Sequence, residues 1–311
     1  MIPQEEKTKL DFQPLTLSHQ AMIDTYMFQY GENSCQHSFA SMFSFNVKYG
    51  YAVCEEGGWL YICREKLCSE QYRVYFMPMG QGNLAMALQR LHADACSYGA
   101  KVKLETVTEN MKNRIMTLLP DAFVAEELRD YAEYIYTADK LANLAGSNMA
   151  SKRHDVSSFW RDYANRVTIK EMTGDTAKET LAYQNYWLET RLEQEDSVQL
   201  ELENEAILLG LQNFDKLNLS GILLYVDDIL RGYAYGQKLS PDCYDVIIEK
   251  GDREIDNIYR ILNMELIRRC CMEFTYINRE EDLGVPGLRK AKLSYKPDIL
   301  LKKYVLVTNQ N

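Results

Sequence analysis

The segment 278–295 concentrates side chains that can move protons and bind anions. It contains three consecutive acids at 280–282, four cationic side chains and a tyrosine. A carboxylate can take the proton of an attacking amine, and arginine or lysine can bind phosphate or carboxylate. Among these residues Glu280, Glu281 and Asp282 are candidate general bases, with Glu280 preferred, and Tyr295 is a candidate proton donor to a leaving group. The acceptor-binding candidates are Asn278 and Asp282, and the donor- or phosphate-binding candidates are Arg279, Arg289, Lys290 and Lys292.

This segment continues into a strongly basic part of the chain. Residues 285–304 contain six lysines or arginines and one acid, whereas the whole chain has 35 Lys+Arg, 45 Asp+Glu and a net charge of −10. The overall charge excludes a generic positive sheath for nucleic acid, so DNA is not an expected partner. The local patch can receive the acceptor stem of a tRNA or a phosphate-bearing acceptor. The alternative is a solvated loop whose opposite charges pair, each pair contributing about 0–1 kcal/mol.

A second candidate pair follows an apolar run at 246–248, where Glu249 and Lys250 end a predicted strand. A carboxylate at this place can act as a base, and a lysine can bind an oxyanion or a donor phosphate. The alternative is a Glu–Lys pair that caps the end of the strand.

Two strand-to-helix turns are candidates for phosphate binding, because backbone N–H groups and the helix dipole favour an anion there. Gly80 and Gly82 lie in the first turn, 79–83, which has no acid and is either a CoA pyrophosphate site or an ordinary tight turn. The second turn, 250–257, has one glycine and three acids, which would repel a pyrophosphate. Lys152 and Arg153, near the middle of the chain, form either a phosphate site between two domains or a polar linker.

The composition is that of a folded protein with more than one core. The chain has 311 residues, of which 46% are hydrophobic and 26% charged, and single cores stop growing near about 250–300 residues. It lacks an apolar run of transmembrane length and an apolar signal-peptide core, so we expect a cytoplasmic location. The eight cysteines form no CxxC pair and no histidine completes a zinc pattern, so we expect reduced thiols and no metal site.

The elements that must position these side chains occur in the same order in both halves. Each half has helices, three antiparallel-type strands, a helix and a further strand, with the strand near 134–136 closing the first half and 303–308 the second. This order is typical of the GNAT acyltransferase fold. It predicts an α/β (α+β layered) protein of two GNAT-like domains, 1–148 and 149–311, each with a central mixed sheet and flanking helices. The second domain is expected to carry the active centre.

Three stretches, 145–159, 248–252 and 276–297, resemble an uncharacterised bacterial family related to the C-terminal catalytic domain of phosphatidylglycerol lysyltransferases. That domain is a tandem GNAT fold, similar to the Fem aminoacyltransferases. The resemblance implies transfer of an aminoacyl group from tRNA to an acceptor amine or hydroxyl, with no tightly bound cofactor. We expect no N-terminal membrane region like that of the lysyltransferases, and peripheral contact with lipid is compatible with the sequence.

Two other functions are compatible with the same residues. The first is a CoA-dependent N-acyltransferase that takes acyl-CoA as its donor. The second is a protein that keeps the GNAT scaffold and binds a ligand without catalysing transfer. Donor binding discriminates among the three, because each predicts a different partner: charged tRNA, acyl-CoA, or a ligand that is not turned over.

Overall fold

A computed structural model describes residues 9–192 and 197–309 of the chain. The strands are β1 (Gln13–Pro14), β2 (Tyr51–Glu56), β3 (Trp59–Arg64), β4 (Tyr72–Tyr75), β5 (Met79–Gly80), β6 (Lys101–Thr108), β7 (Phe123–Glu127), β8 (Glu133–Thr137), β9 (Val167–Glu171), β10 (Ser220–Val226), β11 (Ile229–Ser240), β12 (Cys243–Gly251), β13 (Tyr276–Glu281), β14 (Ile299–Leu301) and β15 (Lys303–Thr308). The α-helices are α1 (Gln20–Tyr30), α2 (Phe39–Ser44), α3 (Asn46–Tyr49), α4 (Leu84–Cys96), α5 (Glu109–Leu118), α6 (Ala138–Asn143), α7 (Ala150–Tyr163), α8 (Gly174–Leu192), α9 (Ser197–Gln212), α10 (Ile258–Cys270) and α11 (Pro286–Leu293).

The chain divides into two compact units. One runs to Ala132 and also includes the chain from Leu301 onward, and the other is Glu133–Leu300. Each unit has one mixed sheet with helices against it, as the order of elements in the sequence predicts. None of the helices in the described part of the chain is long and apolar enough to cross a membrane.

The first unit is built on the strand order β1-β2-β3-β4-β6-β15-β7, with β5 paired to β3 outside this path. The predicted hairpin of β2 and β3 forms around Gly57 and Gly58, whose φ angles of 61° and 78° favour glycine. The next two strands of the order, β4 and β6, run parallel because α4 connects them.

The second unit is built on the order β14-β8-β13-β12-β11-β10-β9. Strands β12 and β13 are parallel and are connected by α10. Eight of the thirteen residues of α10 are buried, among them Ile261, Leu262 and Leu266 with no exposed surface. Burial on this scale fixes the helix against the sheet and so holds the carboxyl end of β12 and the start of β13 in place.

The division into units differs from the expected boundary at 148/149. Strand β8, expected to close the first half, pairs with β13 in the sheet of the second unit. Strand β15, expected to close the second half, lies between β6 and β7 in the first unit. Both strands are mostly buried, and an apolar strand can pair with any sheet edge that its connections reach, so chain order alone did not place them.

The segment 286–293 also differs from expectation, since the sequence analysis placed it in a long loop and it forms helix α11. Pro286 occupies the start of the helix, where its missing N–H costs no hydrogen bond. The helix has eight residues and its apolar positions alternate with basic ones, which is too short a pattern to show helical periodicity clearly.

Candidate functional site

The site is built around an opening between β12 and β13 in the second unit. Parallel pairing of these strands runs from Cys243 opposite Tyr276 to Asp245 opposite Asn278 and ends there. Beyond this point the two strands are no longer paired with each other, and each keeps only its other neighbour, β11 for β12 and β8 for β13. The sequence analysis expected the site at this strand end.

Arg279 and Glu249 face each other across the opening, with 2.6 Å between Nη2 and Oε2. The two side chains are only 11% and 16% exposed. Although burial opposes it, the carboxylate of Glu249 raises the pKa of Arg279 above its ordinary value. Oε1 of Glu249 and Nε of Arg279 are buried and have no hydrogen-bond partner among the described residues. The pair therefore leaves one acceptor and one donor unsatisfied, which is unusual for buried polar atoms.

Tyr295 lies between two cations beside this pair. The guanidinium carbon of Arg279 is 5.2 Å and Nζ of Lys152 is 4.4 Å from the centre of its ring, and the edge of the Tyr136 ring packs at 6.3 Å. Lys152 donates to Oγ of Ser294 at 2.8 Å. Burial and the nearby Arg260 lower the pKa of Lys152, so the surroundings favour an added anion.

Glu280 follows Arg279 on β13 with a left-handed φ of 57°. Its N–H donates to Oδ1 of Asn278 at 2.8 Å, which holds the turn. Burial, followed by the neighbouring carboxylate of Asp245, raises the pKa of Glu280 well above its ordinary value. This carboxyl group therefore keeps a proton at pH values where an exposed glutamate has lost it.

Asn278 and Asp282, assigned to the acceptor from the sequence, are fully buried and bonded within the protein. Nδ2 of Asn278 donates to Glu133 at 2.5 Å. Asp282 accepts two hydrogen bonds from Arg289, at 2.9 and 2.6 Å, and one from the hydroxyl of Tyr134 at 2.5 Å. Although burial opposes them, these bonds hold the pKa of Asp282 well below its ordinary value. Asn278 holds the turn at Glu280, and Asp282 together with Arg289 fixes the loop before α11. Asn278 and Asp282 are therefore not placed to bind an acceptor substrate.

The basic residues assigned to the donor separate into two kinds. Nζ of Lys292 is buried, and it donates to the carbonyl oxygens of Arg279 and Glu281, both at 2.5 Å, so it ties α11 to β13. Burial lowers the pKa of Lys292. Lys290 is exposed and lines an open groove of about 510 Å³ along α11. The lining residues are Pro286, Arg289, Lys290, Leu293, Ser294 and Lys296.

Lys250 does not share a site with Glu249. Its Nζ lies 2.9 Å from Oε2 of Glu203 and 3.9 Å from the ring centre of Trp187. Successive side chains of a strand point to opposite faces, so the residue after Glu249 is directed away from Arg279. The expectation that both residues act on one substrate is therefore not supported by the geometry.

Lys152 and Arg153 also have separate surroundings. Lys152 packs on Tyr295, as described above. Arg153 donates through Nη1 to the carbonyl oxygens of Leu144 and Gly146, at 2.5 and 2.7 Å, and so closes the end of α6. Of this basic pair, Lys152 alone adds a charge beside the opening.

The glycine turn of the first unit is a packing feature. A Cβ on Gly80 would lie 2.3 Å from the carbonyl oxygen of Gly58, and one on Gly82 would touch the indole of Trp59. Oδ1 of Asn83 accepts hydrogen bonds from the backbone N–H groups of Ala85 at 3.0 Å and Met86 at 3.3 Å. These are the amides that would bind a pyrophosphate.

In the corresponding turn of the second unit, polar groups are also hydrogen-bonded within the protein. Asp252 accepts the N–H of Glu254 at 2.9 Å through one oxygen and binds Arg231 at 2.8 Å through the other. Both turns thus satisfy their polar groups internally, which is unfavourable for CoA.

The sequence analysis did not single out Asp245, Tyr136 or Glu133. Asp245 is an acid within an otherwise apolar run, and this was the signal available in the sequence. In the structure it has no exposed surface. Tyr136 and Glu133 belong to β8, and their contribution became visible only when that strand was found beside β13. The described residues contain no group of three or more His, Cys, Asp or Glu side chains placed to hold a metal ion.

Comparisons with known proteins identify the family and the fold. The family model for the C-terminal part of phosphatidylglycerol lysyltransferase matches residues 28–307. A crystal structure of a conserved protein of unknown function from Bacteroides thetaiotaomicron is 30% identical, with a TM-score of 0.90 over 96% of this chain and 100% of that chain. The C-terminal domain of a putative lysylphosphatidylglycerol synthetase from Agrobacterium fabrum is 12% identical, with a TM-score of 0.65 over 95% of this chain and 93% of that chain.

A tandem GNAT protein from the clavulanic acid pathway is 9% identical, with a TM-score of 0.51 over 96% of this chain and 98% of that chain. The expected tandem GNAT-like fold is thereby confirmed. A curated relative, an uncharacterised protein of Mycoplasmoides gallisepticum, is 24% identical over 173 residues, which are 56% of this chain and 55% of the relative. The match thus spans about half the length of that relative.

Proposed function

The chain belongs to the family defined by the C-terminal part of phosphatidylglycerol lysyltransferase, and on that premise we propose that it is an aminoacyltransferase. In this proposal the donor is an aminoacyl-tRNA, the acceptor carries an amine or a hydroxyl, and the reaction occurs at the opening between β12 and β13. The observation that carries the proposal is the buried Arg279–Glu249 pair, which spans the opening and retains an unpartnered donor and acceptor among the described residues.

The reaction joins the acceptor to the carbonyl carbon of the aminoacyl ester and breaks the bond from that carbon to the ribose oxygen. The guanidinium of Arg279 stabilises the negative charge that develops on the carbonyl oxygen. Glu249 holds Arg279 in place, and its free oxygen accepts a hydrogen bond from the attacking group.

Two residues handle the protons. Glu280 in its ionised form takes the proton of the acceptor, and its raised pKa makes that form a stronger base than an exposed glutamate. Tyr295 gives a proton to the leaving ribose oxygen and recovers one from Glu280, so no net proton is lost. The ring of Tyr295 contacts both Arg279 and Lys152, and these contacts fix its orientation for this role.

The choice of tRNA over CoA rests on the charges around the opening. Lys152 beside Tyr295 and the groove of Arg289, Lys290 and Lys296 along α11 offer cations to the phosphates of an acceptor end. At the start of α4, Asn83 accepts the backbone amides of Ala85 and Met86. In the turn before α10, Asp252 accepts the amide of Glu254, and its carboxylate opposes a pyrophosphate there.

The test is a transfer assay with tRNA charged with labelled amino acids and, in parallel, labelled acetyl-CoA, each against a panel of amines, peptides and extracted lipids. We expect label to leave tRNA for an acceptor, and the rate to fall about 10²–10⁴-fold in Glu280→Gln. Lys178→Ala, on the exposed side of α8, is the control and should transfer normally. Transfer from acetyl-CoA alone would refute the donor assignment, and tight tRNA binding without any transfer would make the protein a binding module.

A further inference from the structure

Two cysteines of the first unit form a close pair that the proposed reaction does not use. Cys63 lies on β3 with no exposed surface, and Cys68 follows the short turn 65–67 and is half-buried. Their sulfur atoms are 3.7 Å apart, within hydrogen-bond distance for thiols. Cys68 is partly exposed and lies between the exposed residues Lys66 and Ser69, whereas Cys63 is buried.

The surroundings of Cys68 favour its thiolate. The backbone N–H of Val74 donates to its sulfur at 3.4 Å, and the guanidinium of Arg73 is close. The hydrogen bond from Cys63, against the effect of burial, lowers the pKa of Cys68 below its ordinary value, and the same bond raises the pKa of Cys63. Glu65, paired with Arg73 at 3.0 Å, acts weakly in the opposite direction. The two sulfur atoms are thus in contact, and their surroundings favour ionisation of Cys68 over that of Cys63.

The thiols of Cys243, Cys271 and Cys96 lack this combination. Cys243 and Cys271 have no exposed surface, and burial raises the pKa of each. Cys96 is exposed at the end of α4, where Nε2 of His92 is its contact at 3.4 Å. Cys96 is thus an accessible thiol without a neighbouring sulfur, which makes it a matched reference for reactivity.

We propose that Cys68 is a site of oxidation by hydroperoxides, and that Cys63 resolves the oxidised sulfur into a Cys63–Cys68 disulfide. In the first step the Cys68 sulfur attacks the peroxide, the S–O bond forms, the O–O bond breaks, and the released oxygen leaves as an alcohol or water. In the second step the Cys63 sulfur attacks Cys68, the S–S bond forms, and the sulfenic oxygen leaves as water with the proton of Cys63. The two thiols lose two electrons, which the hydroperoxide gains.

The second step, formation of the disulfide, requires only a small movement of the two sulfur atoms. A disulfide needs about 2.05 Å between its sulfurs, so the two atoms must approach by less than about 2 Å. Because Cys68 lies on a surface turn, the movement can be taken up there without displacing β3. A small dithiol reverses the reaction by exchange.

The experiment treats the reduced full-length protein with stoichiometric hydrogen peroxide and reads each cysteine by mass spectrometry of unreduced peptides. We expect a Cys63–Cys68 link, removed by dithiothreitol. Cys68→Ala should prevent the link, Cys63→Ala should leave a sulfenic acid on Cys68 that dimedone traps, and Cys96→Ala should behave as the wild type. Equal oxidation of wild type and Cys68→Ala, or oxidation of Cys96 before Cys68, would overturn the proposal.

A second measurement avoids variants, because Cys63 is buried in a strand and its replacement can disturb folding. Limited iodoacetamide labelling of the wild type, resolved by site, should modify Cys68 about tenfold faster than Cys96 at pH 7. Equal rates would show that Cys68 has no special reactivity and would contradict the proposal.

Discussion

Arg279 and Glu249 come from two neighbouring strands that are no longer hydrogen-bonded to each other, and their side chains meet across the gap at 2.6 Å. The contact replaces the backbone pairing that ends at Asp245 and Asn278. An ion pair at this position holds the opening at a fixed width and also puts a guanidinium where an acyl group would bind. The same two side chains thus have a structural role and a proposed chemical one, and these roles can be separated by experiment.

Replacing one partner of this pair should destabilise the protein more than replacing both. Arg279→Met leaves the Glu249 carboxylate buried without its counter-charge, and such changes cost about 3–5 kcal/mol. In the double variant Arg279→Met, Glu249→Gln the buried charge is gone, so part of that free energy should return. Urea denaturation of the wild type, both single variants and the double variant measures the coupling.

An exposed pair in the same unit provides the control. Arg166 and Asp227 are each about half exposed, and Arg166→Met should change the free energy of unfolding far less than Arg279→Met. If the two arginine variants were equally stable, the Arg279–Glu249 pair would not be the fixed element described above.

Glu280→Gln should stabilise the fold increasingly as the pH rises. The folded protein keeps the proton of Glu280, whereas the unfolded chain releases it above the ordinary pKa of 4.5. Unfolding of the wild type therefore releases a proton above that pH, and its stability falls by at most about 1.4 kcal/mol per pH unit until Glu280 ionises in the fold. Glutamine has no proton to release. Unfolding free energies at pH 4, 6 and 8 should diverge in favour of the variant.

Asp282→Asn should show the opposite dependence. Its pKa in the folded protein lies below the ordinary 3.8, so its stabilising effect is present above that value and disappears as the pH falls through the folded pKa. The variant should be less stable than the wild type at pH 7, and the difference should shrink under strongly acidic conditions. A difference that did not depend on pH would contradict the assignment of this effect to the ionised carboxylate.

Lys290 and Lys292 should respond differently although they are two residues apart. Lys290→Ala removes an exposed charge from the groove and should reduce the salt dependence of charged-tRNA binding by about one unit of slope, with little effect on stability. Lys292→Met should lower stability by about 1–3 kcal/mol, because two buried carbonyl groups lose their donor. Binding isotherms at several salt concentrations and thermal melts distinguish the two effects. A steeper salt dependence after Lys290→Ala would count against the groove as an RNA surface.

Gly80→Ala should be destabilising and Gly287→Ala should not. A methyl group on Gly80 would overlap the carbonyl oxygen of Gly58, and overpacking of this kind costs about 1–3 kcal/mol. Gly287 has open space at this position and lies in α11, where alanine is the better helix former. If Gly80→Ala instead kept its stability and lost binding to CoA, the turn would be a donor site and not a packing feature.

Local patterns were sufficient to predict most elements of both sheets. The hairpin of β2 and β3 follows from two apolar runs around Gly57 and Gly58, and the core face of α10 from its apolar spacing. The site was also expected at the end of β12, where an acid closes an apolar run. Each of these features depends on residues close together in the sequence, because turn formation and apolar spacing are properties of short segments.

The features that the sequence did not predict depend on contacts between residues that are far apart in the chain. Strand β8 has the same apolar character whichever sheet it joins, so its place beside β13 is a property of tertiary packing. The roles of Asn278 and Lys292 depend on which buried groups need a hydrogen bond, and those groups lie on other elements. The separation of Lys250 from Glu249 was predictable from strand alternation, which gives neighbouring residues opposite faces.

The position of β15 has a consequence for the making of the protein. Strands β6 and β7 both pair with β15, residues 303–308. The sheet of the first unit therefore lacks this strand while the ribosome is still translating the second unit. Domains commonly fold one after another as they emerge. The unit that is synthesised first must therefore wait, and the edges of β6 and β7 stay unpaired until residues 303–308 have left the ribosome.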